Sequence, residues 1–319
     1  MKEAILVTAI GSLSSDAIVS SLNKHDEFEV YGSDIFPSHW HVQSLNLKKV
    51  FHVPRASDPE KYIERMLEIC MDYSIKCILP LTDIEVDVYN LYREDFEKKD
   101  ITICISGDQS IKIARDKYLL SSYFDDNEFF QPILSHESGN DLIKDPVYPY
   151  VAKPKNGRSS EGLFIIYDEV MLKYIISKDN YIIQPFIEGN IYTVDYIRDP
   201  ASGNDYSFSR EELLRTTNGA GLTVRLLNDA TLNQAASYIG NTLNIKGCVN
   251  IEFIKADEGY YLTDINPRFS AGIGFTIVGG YDIVKNHLNC FRNIEIEKPG
   301  KYPEMIITKS YSETIMVRK

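Results

Sequence analysis

The sequence predicts an α/β fold followed by an α+β fold: an amino-terminal parallel α/β domain, then a two-part fold built on antiparallel sheets. Three observations carry this. Over roughly the first third of the chain, apolar strand patterns alternate with helical ones. After Pro146 and Pro149 short strands dominate. Near the carboxyl end, Cys248 to Arg268 reads as two alternating strands around Asp257-Glu258-Gly259, a hairpin signature.

The elements follow in order. Glu3 to Ala9 is a buried-strand pattern, followed by Gly11-Ser12 and a helix from Asp16 to Lys24. Glu29 to Ser33 is a second strand, ending at Asp34. Pro59 to Tyr73 is a helix whose apolar face carries Tyr62, Ile63, Met66, Leu67, Ile69 and Cys70. Lys76 to Leu79 is a third strand, Ile84 to Phe96 is helical and Ile101 to Ser106 is a fourth strand. Asp108 and Asp116 read as N-caps opening helices Gln109–Arg115 and Lys117–Phe124. Strands at Tyr150–Ala152, Leu163–Tyr167, Tyr181–Gln184, Tyr192–Ile197, Val249–Lys255 and Tyr260–Ile265 then alternate with helices at Glu169–Ile176 and Ala230–Leu243. The units expected are residues 1–108, 109–187 and 188–319.

Composition narrows the function classes. A chain of 319 residues has room for two or three domains. Its net charge of −12 argues against nucleic acid, which selects basic faces. No apolar run reaches the roughly 18 residues of a membrane helix. The start of the chain, interrupted by Glu3, reads as a strand and not as a signal peptide. Cys70, Cys77, Cys104, Cys248 and Cys290 are dispersed without C-x-x-C spacing, which suits reduced core thiols in a cytoplasmic protein and argues against zinc.

The hairpin is the most informative segment. A three-residue loop closed by Gly259 would pair Ala256 with Tyr260, Glu252 with Asp264 and Asn250 with Asn266. Strand side chains alternate, so Asn250, Glu252, Asp264 and Asn266 share one face, while Val249, Ile251, Phe253, Thr263 and Ile265 face a core. Like charges directly opposite each other destabilise a sheet. A divalent cation between them removes the conflict, and an all-oxygen ligand set suits Mg²⁺ bridging to phosphates. An ordinary hairpin with a solvated polar face accounts for the same pattern. The following Pro267-Arg268 and the loop Ser270-Ala271-Gly272-Ile273-Gly274 favour the metal reading, with Arg268 placed to meet a transferring phosphate.

Two further segments carry nucleotide-like chemistry. Lys153-Pro154-Lys155-Asn156-Gly157-Arg158-Ser159-Ser160-Glu161-Gly162 is a cationic, small-residue loop between strands, whose backbone amides can cradle phosphates while Lys153 neutralises them. It lacks the G-x-x-x-x-G-K-[ST] pattern of a P-loop. The stretch Gln184-Pro185-Phe186-Ile187-Glu188-Gly189 can offer backbone groups to a purine, although a plain strand-to-turn junction fits it as well.

In this order, Lys117, the V-A-K-P of Val151 to Pro154, the Gln184 strand and the D-I-N-P-R of Asp264 to Arg268 make the chain resemble the ATP-grasp superfamily. It is most similar to proteins like one half of the carbamoyl-phosphate synthase large chain. The resemblance covers nearly the whole chain, including an amino-terminal pre-ATP-grasp domain with Pro80-Leu81-Thr82-Asp83-Ile84-Glu85. It implies that Lys117 and Lys153 bind the nucleotide, with Arg158, Ser159, Ser160 and Gly162 on the flap. It gives Gln184, Pro185, Phe186, Ile187 and Glu188 to the adenine hinge. Glu252, Asp264 and Asn266 would hold Mg²⁺, with Mn²⁺ as a substitute, and Arg268, Arg215 and Arg210 would serve substrate and γ-phosphate. The implied activity joins a small-molecule carboxylate to an amine at the expense of ATP, in a protein that can form a homodimer. Two positions depart from the pattern. Ile191 replaces an acid that relatives place on the ribose, leaving Glu188 or Asn190 to substitute. Asp264 stands where Glu is frequent.

Competing readings are a nucleotide-binding regulatory module without turnover and a dinucleotide-dependent oxidoreductase. The second rests on Gly11 and Asp34 but lacks the other glycines of G-x-G-x-x-G. His39-Trp40-His41 reads as a solvated loop in preference to a metal pair. Asp83 and Glu85 either orient substrate at a strand end or cap the helix that follows.

Overall fold

The computed structural model describes residues 2–124, 126–137, 139–157 and 161–317. The amino-terminal region comprises β1 (Glu3–Val7), α1 (Ser15–Leu22), β2 (Phe28–Asp34), β3 (Val50–His52), α2 (Pro59–Asp72), β4 (Cys77–Leu79), α3 (Asp83–Leu91), α4 (Arg93–Glu97) and β5 (Thr102–Ile103). Its strands form a parallel sheet in the order β3-β2-β1-β4-β5. The reversal of strand order beside β1 creates a crevice at the carboxyl ends of the strands.

Next come α5 (Asp108–Arg115), α6 (Lys117–Tyr123), β6 (Tyr150–Pro154), β7 (Phe164–Ile166), α7 (Glu169–Ile176) and β8 (Tyr181–Pro185). The three strands make a small antiparallel sheet, β7-β6-β8, backed by α7 through Leu172 and Ile175. The remainder is β9 (Asn190–Arg198), β10 (Asp205–Arg215), β11 (Gly221–Leu227), α8 (Ala230–Thr242), β12 (Gly247–Ala256), β13 (Gly259–Asn266), α9 (Ile273–Val278), α10 (Ile283–Phe291) and β14 (Met305–Thr308). Its strands form a six-stranded sheet, β13-β12-β9-β10-β11-β14.

One core joins the amino-terminal and six-stranded sheets, and a second seats α5 and α6 on the six-stranded sheet. Ile5, Val7 and Leu79 of the parallel sheet share a buried cluster with Ile197, Phe208, Ile283 and Leu288 of the carboxyl-terminal part. Ile113, Leu120 and Phe124, from α5, α6 and the residue after it, bury against Val194, Ile251 and Phe253. The segment 109–187 is therefore divided in its packing, since its two leading helices join the six-stranded sheet and its strands form a separate small core.

Several local expectations change. Gly107, not Asp108, is the N-cap of α5, because the Asp108 carboxylate accepts from Asn90 and pairs with Lys112 on the helix surface. Asp116 does cap α6, accepting from the N–H groups of Tyr118 and Leu119. The helical stretch from Ile84 to Phe96 breaks at Tyr92 into α3 and α4. Strands β10 and β14 carry no clean apolar alternation, and β10 hides charge: Arg210, Glu211 and Glu212 are all buried or nearly so.

The hairpin is corrected in its loop but not at its base. Ala256 pairs with Gly259 and Phe253 with Leu262, so the loop is one residue tighter than expected. A bulge at Thr263 then restores Glu252 opposite Asp264 and Asn250 opposite Asn266. The Thr263 hydroxyl donates to the Glu252 carbonyl (3.0 Å), and Leu262 takes the core place expected of Thr263.

Gly189 marks where β9 leaves the hinge beneath β12. A Cβ there would lie 2.2 Å from the Lys255 carbonyl oxygen, a backbone atom that cannot swing aside. Gly189→Ala is expected to destabilise the fold by about 1–3 kcal/mol, the usual cost of overpacking. A thermal or urea unfolding midpoint equal to that of the parent would show that β9 and β12 separate freely.

Candidate functional site

The site begins with the two carboxylates of the hairpin. Glu252 on β12 and Asp264 on β13 are direct cross-strand partners, and Thr193 of β9 and then Arg210 of β10 continue the same row across the sheet. Each carboxylate has a cation. Arg215, at the end of β10, donates to Glu252, and its Nε donates to the Gly219 carbonyl (2.9 Å). Lys117, at the start of α6, places Nζ 3.0 Å from Asp264 Oδ1 and donates to the Gly157 carbonyl (3.0 Å). Burial and the charge of Asp264 push the Glu252 carboxyl above its ordinary value, against the pull of Arg215.

Lys153 reaches the same face from β6 and donates to the Thr263 carbonyl at 3.3 Å. Burial pushes its ammonium down to about 8, against the pull of Asp264. The flap is anchored at its root, where the Lys117 N–H donates to the Lys155 carbonyl (2.9 Å). Arg158, Ser159 and Ser160 lie outside the described residues. Gly162 closes the flap into β7 with φ of 72°, a left-handed conformation that suits glycine.

Of the hinge residues, Gln184 is buried in β8 and donates from Nε2 to the Ser135 hydroxyl (2.6 Å). Pro185 ends the strand, the Phe186 N–H donates to the Pro149 carbonyl (3.1 Å), and Ile187 and Glu188 lead out toward β9. Asn190 donates to Glu211 (3.0 Å), so of the two candidates for the ribose only Glu188 keeps an exposed, uncommitted side chain among the described residues.

On the other side of the hairpin Arg268 forms a two-pronged pair with Asp83, Nε to Oδ1 at 3.0 Å and a terminal nitrogen to Oδ2 at 2.8 Å. It also donates to Asn266 Oδ1 at 3.2 Å. Burial opposes the Asp83 charge, but Arg268, with Arg115 and Lys117 behind it, holds that carboxyl below its ordinary value. Asp83 therefore belongs to the site. The cap of α3 is supplied by Thr82 and Glu85, which form a capping box.

Arg210 is placed otherwise than expected. It is fully buried, bonded to Asp195 (2.6 Å), Glu212 (3.0 Å) and the Ser270 hydroxyl (3.2 Å), and faces neither cavity nor solvent. Each of its three guanidinium nitrogens has an acceptor, so it supports the row and the glycine-rich loop from beneath.

A cavity of about 800 Å³ runs from this face to the carboxyl ends of the parallel strands. Asn250, Glu252, Asp264, Asn266, Arg215 and Arg268 line one wall; Gly11, Asp34, Arg55, Asp83 and Glu85 line the other. Arg55, Arg115 and Thr193 escape a reading of the sequence, because only the folded chain brings them to the hairpin or its cavity. Asp34 accepts from the Gly11 (2.8 Å) and Phe36 (3.0 Å) N–H groups and lies 3.2 Å from His41, so it is not free to hold a ribose. His41 is buried there, in place of the solvated loop expected, while Trp40 is exposed.

The donor set fits Mg²⁺. Two carboxylates and two carboxamides share one face, an all-oxygen set that phosphate and water oxygens would complete for this cation. Among the described residues no cluster of three or more His, Cys, Asp or Glu side chains could hold a metal without such help.

Residues 114–272 match the model of an ATP-grasp domain, and residues 5–104 that of a PylC-like N-terminal domain. The chain is similar to a D-alanine--D-alanine ligase of Petrotoga mobilis (26% identity, 47% of this chain and 60% of that one). It is similar to a 3-methyl-D-ornithine--L-lysine ligase of Methanosarcina acetivorans (23%, 66% and 53%) and to a carbamoyl phosphate synthase large chain of Clostridium beijerinckii (24%, 67% and 22%). The chain thus spans only a little over half the length of the first two relatives. Biotin carboxylase of Campylobacter jejuni superposes with a TM-score of 0.76 at 14% identity, over 93% of this chain and 72% of that one, a likeness of fold alone.

The depressed Lys153 has a measurable consequence. Near pH 8 its ammonium is partly deprotonated, and anionic phosphates beside it would restore the proton. Binding of ADP or ATP at pH 8 to 9 is therefore expected to take up a substantial fraction of a proton and to weaken as pH rises through this range. Calorimetry in buffers of different ionisation enthalpy measures the uptake, which Lys153→Met should abolish. Equal uptake in that variant would assign the proton elsewhere.

Proposed function

We propose that this chain, which carries an ATP-grasp domain behind a PylC-like amino-terminal domain, is an ATP- and Mg²⁺-dependent ligase that joins a small-molecule carboxylate to an amine. The observation that carries the reading is the two-sided hairpin. On one side Lys117 meets the Asp264 carboxylate and Lys153 the Thr263 carbonyl, and on the other the hairpin opens into a large cavity lined by Arg215 and Arg268. Nucleotide on the lysine side and an organic acid on the arginine side would meet at one metal face. The names of the relatives, two of them amino acid ligases, support the same class of chemistry.

In this reading Glu252, Asp264 and Asn266 would hold Mg²⁺, which would neutralise phosphate charge. Lys117 and Lys153 bind the polyphosphate, and the 155–162 flap with Gly162 covers it and excludes water. The strand from Gln184 through Pro185, Phe186 and Ile187 receives the purine, with Glu188 near the sugar. Arg268 and Arg215 are each already engaged by a carboxylate, Asp83 and Glu252. They exchange these partners for the substrate acid and for the phosphoryl group it receives. The acid oxygen attacks the γ-phosphorus, ADP leaves, and the amine then displaces phosphate from the acyl phosphate. Positioning and charge neutralisation carry the rate, with no covalent enzyme intermediate. The reading extends to functional units at 1–108, 109–187 and 188–319, to Mn²⁺ as a substitute metal and, by analogy with relatives, to a cytoplasmic homodimer.

The decisive measurement follows an oxygen atom. With ¹⁸O in the acid's carboxylate, released phosphate is expected to carry one label per turnover, and hydroxylamine is expected to trap a hydroxamate in place of the amide. If ADP and product form in equal amounts while phosphate stays unlabelled, the carboxylate is not the phosphoryl acceptor, and a kinase acting on another group replaces the ligase.

A further inference from the structure

Among the described arginines Arg55 stands apart. Every other one has a guanidinium partner within the protein: Glu68, Asn90, Asp87, Asn241, Asp195, Glu252, Glu211, Asp83 or Glu3. Arg55 has none among the described residues, yet it is not a surface arginine remote from the chemistry. It lies just beyond β3, exposed, on the wall of the large cavity.

Its setting makes that cation consequential. The acids that share its wall of the cavity are already committed. Asp34 is taken by two backbone N–H groups, and Glu85 accepts from the Tyr62 hydroxyl (2.8 Å) and from Thr82. Arg268, by contrast, lies on the facing wall, paired with Asp83 beyond β4. In the strand order β3-β2-β1-β4 the two positions are separated by three strand spacings, roughly 14 Å at ~4.8 Å each. Two cavity-lining arginines that far apart suit an elongated molecule with an anion at each end. Nothing else lining this cavity supplies an unpaired permanent positive charge among the described residues.

We propose that Arg55 is the specificity determinant for a dianionic acid substrate. One carboxylate meets Arg268 and Arg215 at the metal face and becomes phosphorylated; the other, several bonds away, is anchored by Arg55. This rests on the ligase reading and adds to it the class of acid. Arg55 does not touch the reacting atoms and acts by holding the far end of the substrate.

The test uses the full chain loaded with Mg²⁺ and a non-hydrolysable ATP analogue. Thermal shifts are titrated with the straight-chain dicarboxylates from succinate to suberate and with monocarboxylates of matched length. At least one dicarboxylate is expected to stabilise the parent protein at concentrations tenfold or more below its monocarboxylate counterpart. In Arg55→Ala that preference disappears while the shift caused by the analogue itself is unchanged; Arg55→Lys retains part of the preference. Equal responses to the two series in the parent, no response to any dicarboxylate, or a preference that survives in Arg55→Ala would each overturn the assignment. None of these would touch the ligase reading, which falls only if labelled oxygen fails to reach phosphate.

Discussion

Two carboxylates facing each other across a hairpin set the terms for this molecule. Glu252 and Asp264 are registered opposite one another, an arrangement that repels unless positive charge is supplied. The fold supplies it from two directions, Arg215 from the end of β10 and Lys117 from the start of α6. Both cations also bond to carbonyls of loops, at Gly219 and Gly157, so charge balance at the hairpin fixes the position of the loops around it. Burial, with the charge of Asp264 added to it, holds Glu252 above its ordinary value despite Arg215, so its negative charge stays costly. A metal ion brought by phosphates would lower that cost.

The layer beneath explains how such a row survives in a sheet. Arg210 is enclosed by Asp195 and Glu212, and Asp195 also accepts from the Thr276 hydroxyl at 2.8 Å. Removing one partner from a buried ion pair of this kind costs about 3–5 kcal/mol, since it strands the other charge. The network ties β9 and β10 to α9 and to the loop after Arg268, and Lys309 pins that loop again through the Ala271 carbonyl (2.6 Å). The face presented to substrate is thereby built on strands and braced from behind, which preserves geometry better than loops alone.

Much of this was legible in the chain because local chemistry wrote it there. The parallel sheet announced itself by alternation of strand and helix, and the hairpin by alternation of apolar and oxygen-bearing side chains. The base of the hairpin has the expected pairing although its loop does not, because a tighter loop and a bulge at Thr263 compensate each other. What stayed hidden depends on distance along the chain. Arg210 looks like any charged strand residue until β9 folds Asp195 against it. Asp83 reads equally as a substrate-orienting acid and as a helix start until Arg268 arrives from far along the sequence. Arg55 carries no motif at all, and its meaning comes only from the cavity it borders.

The central claim is that Glu252 and Asp264 are held in electrostatic tension for a metal to relieve. A carboxyl whose folded-state value is raised gains a proton on folding as pH falls, so its charge at neutral pH costs the folded state stability. Glu252→Gln removes that cost. Melting temperatures of the parent, Glu252→Gln and Asp264→Asn, measured with ADP in the presence and absence of Mg²⁺, put the claim to the test. Without Mg²⁺ the Glu252→Gln protein should melt at or above the parent temperature. Both variants should lose the additional rise that Mg²⁺ gives the parent with ADP. A Glu252→Gln protein that melts several degrees below the parent without Mg²⁺, or variants that keep the full Mg²⁺-dependent rise, would contradict the account.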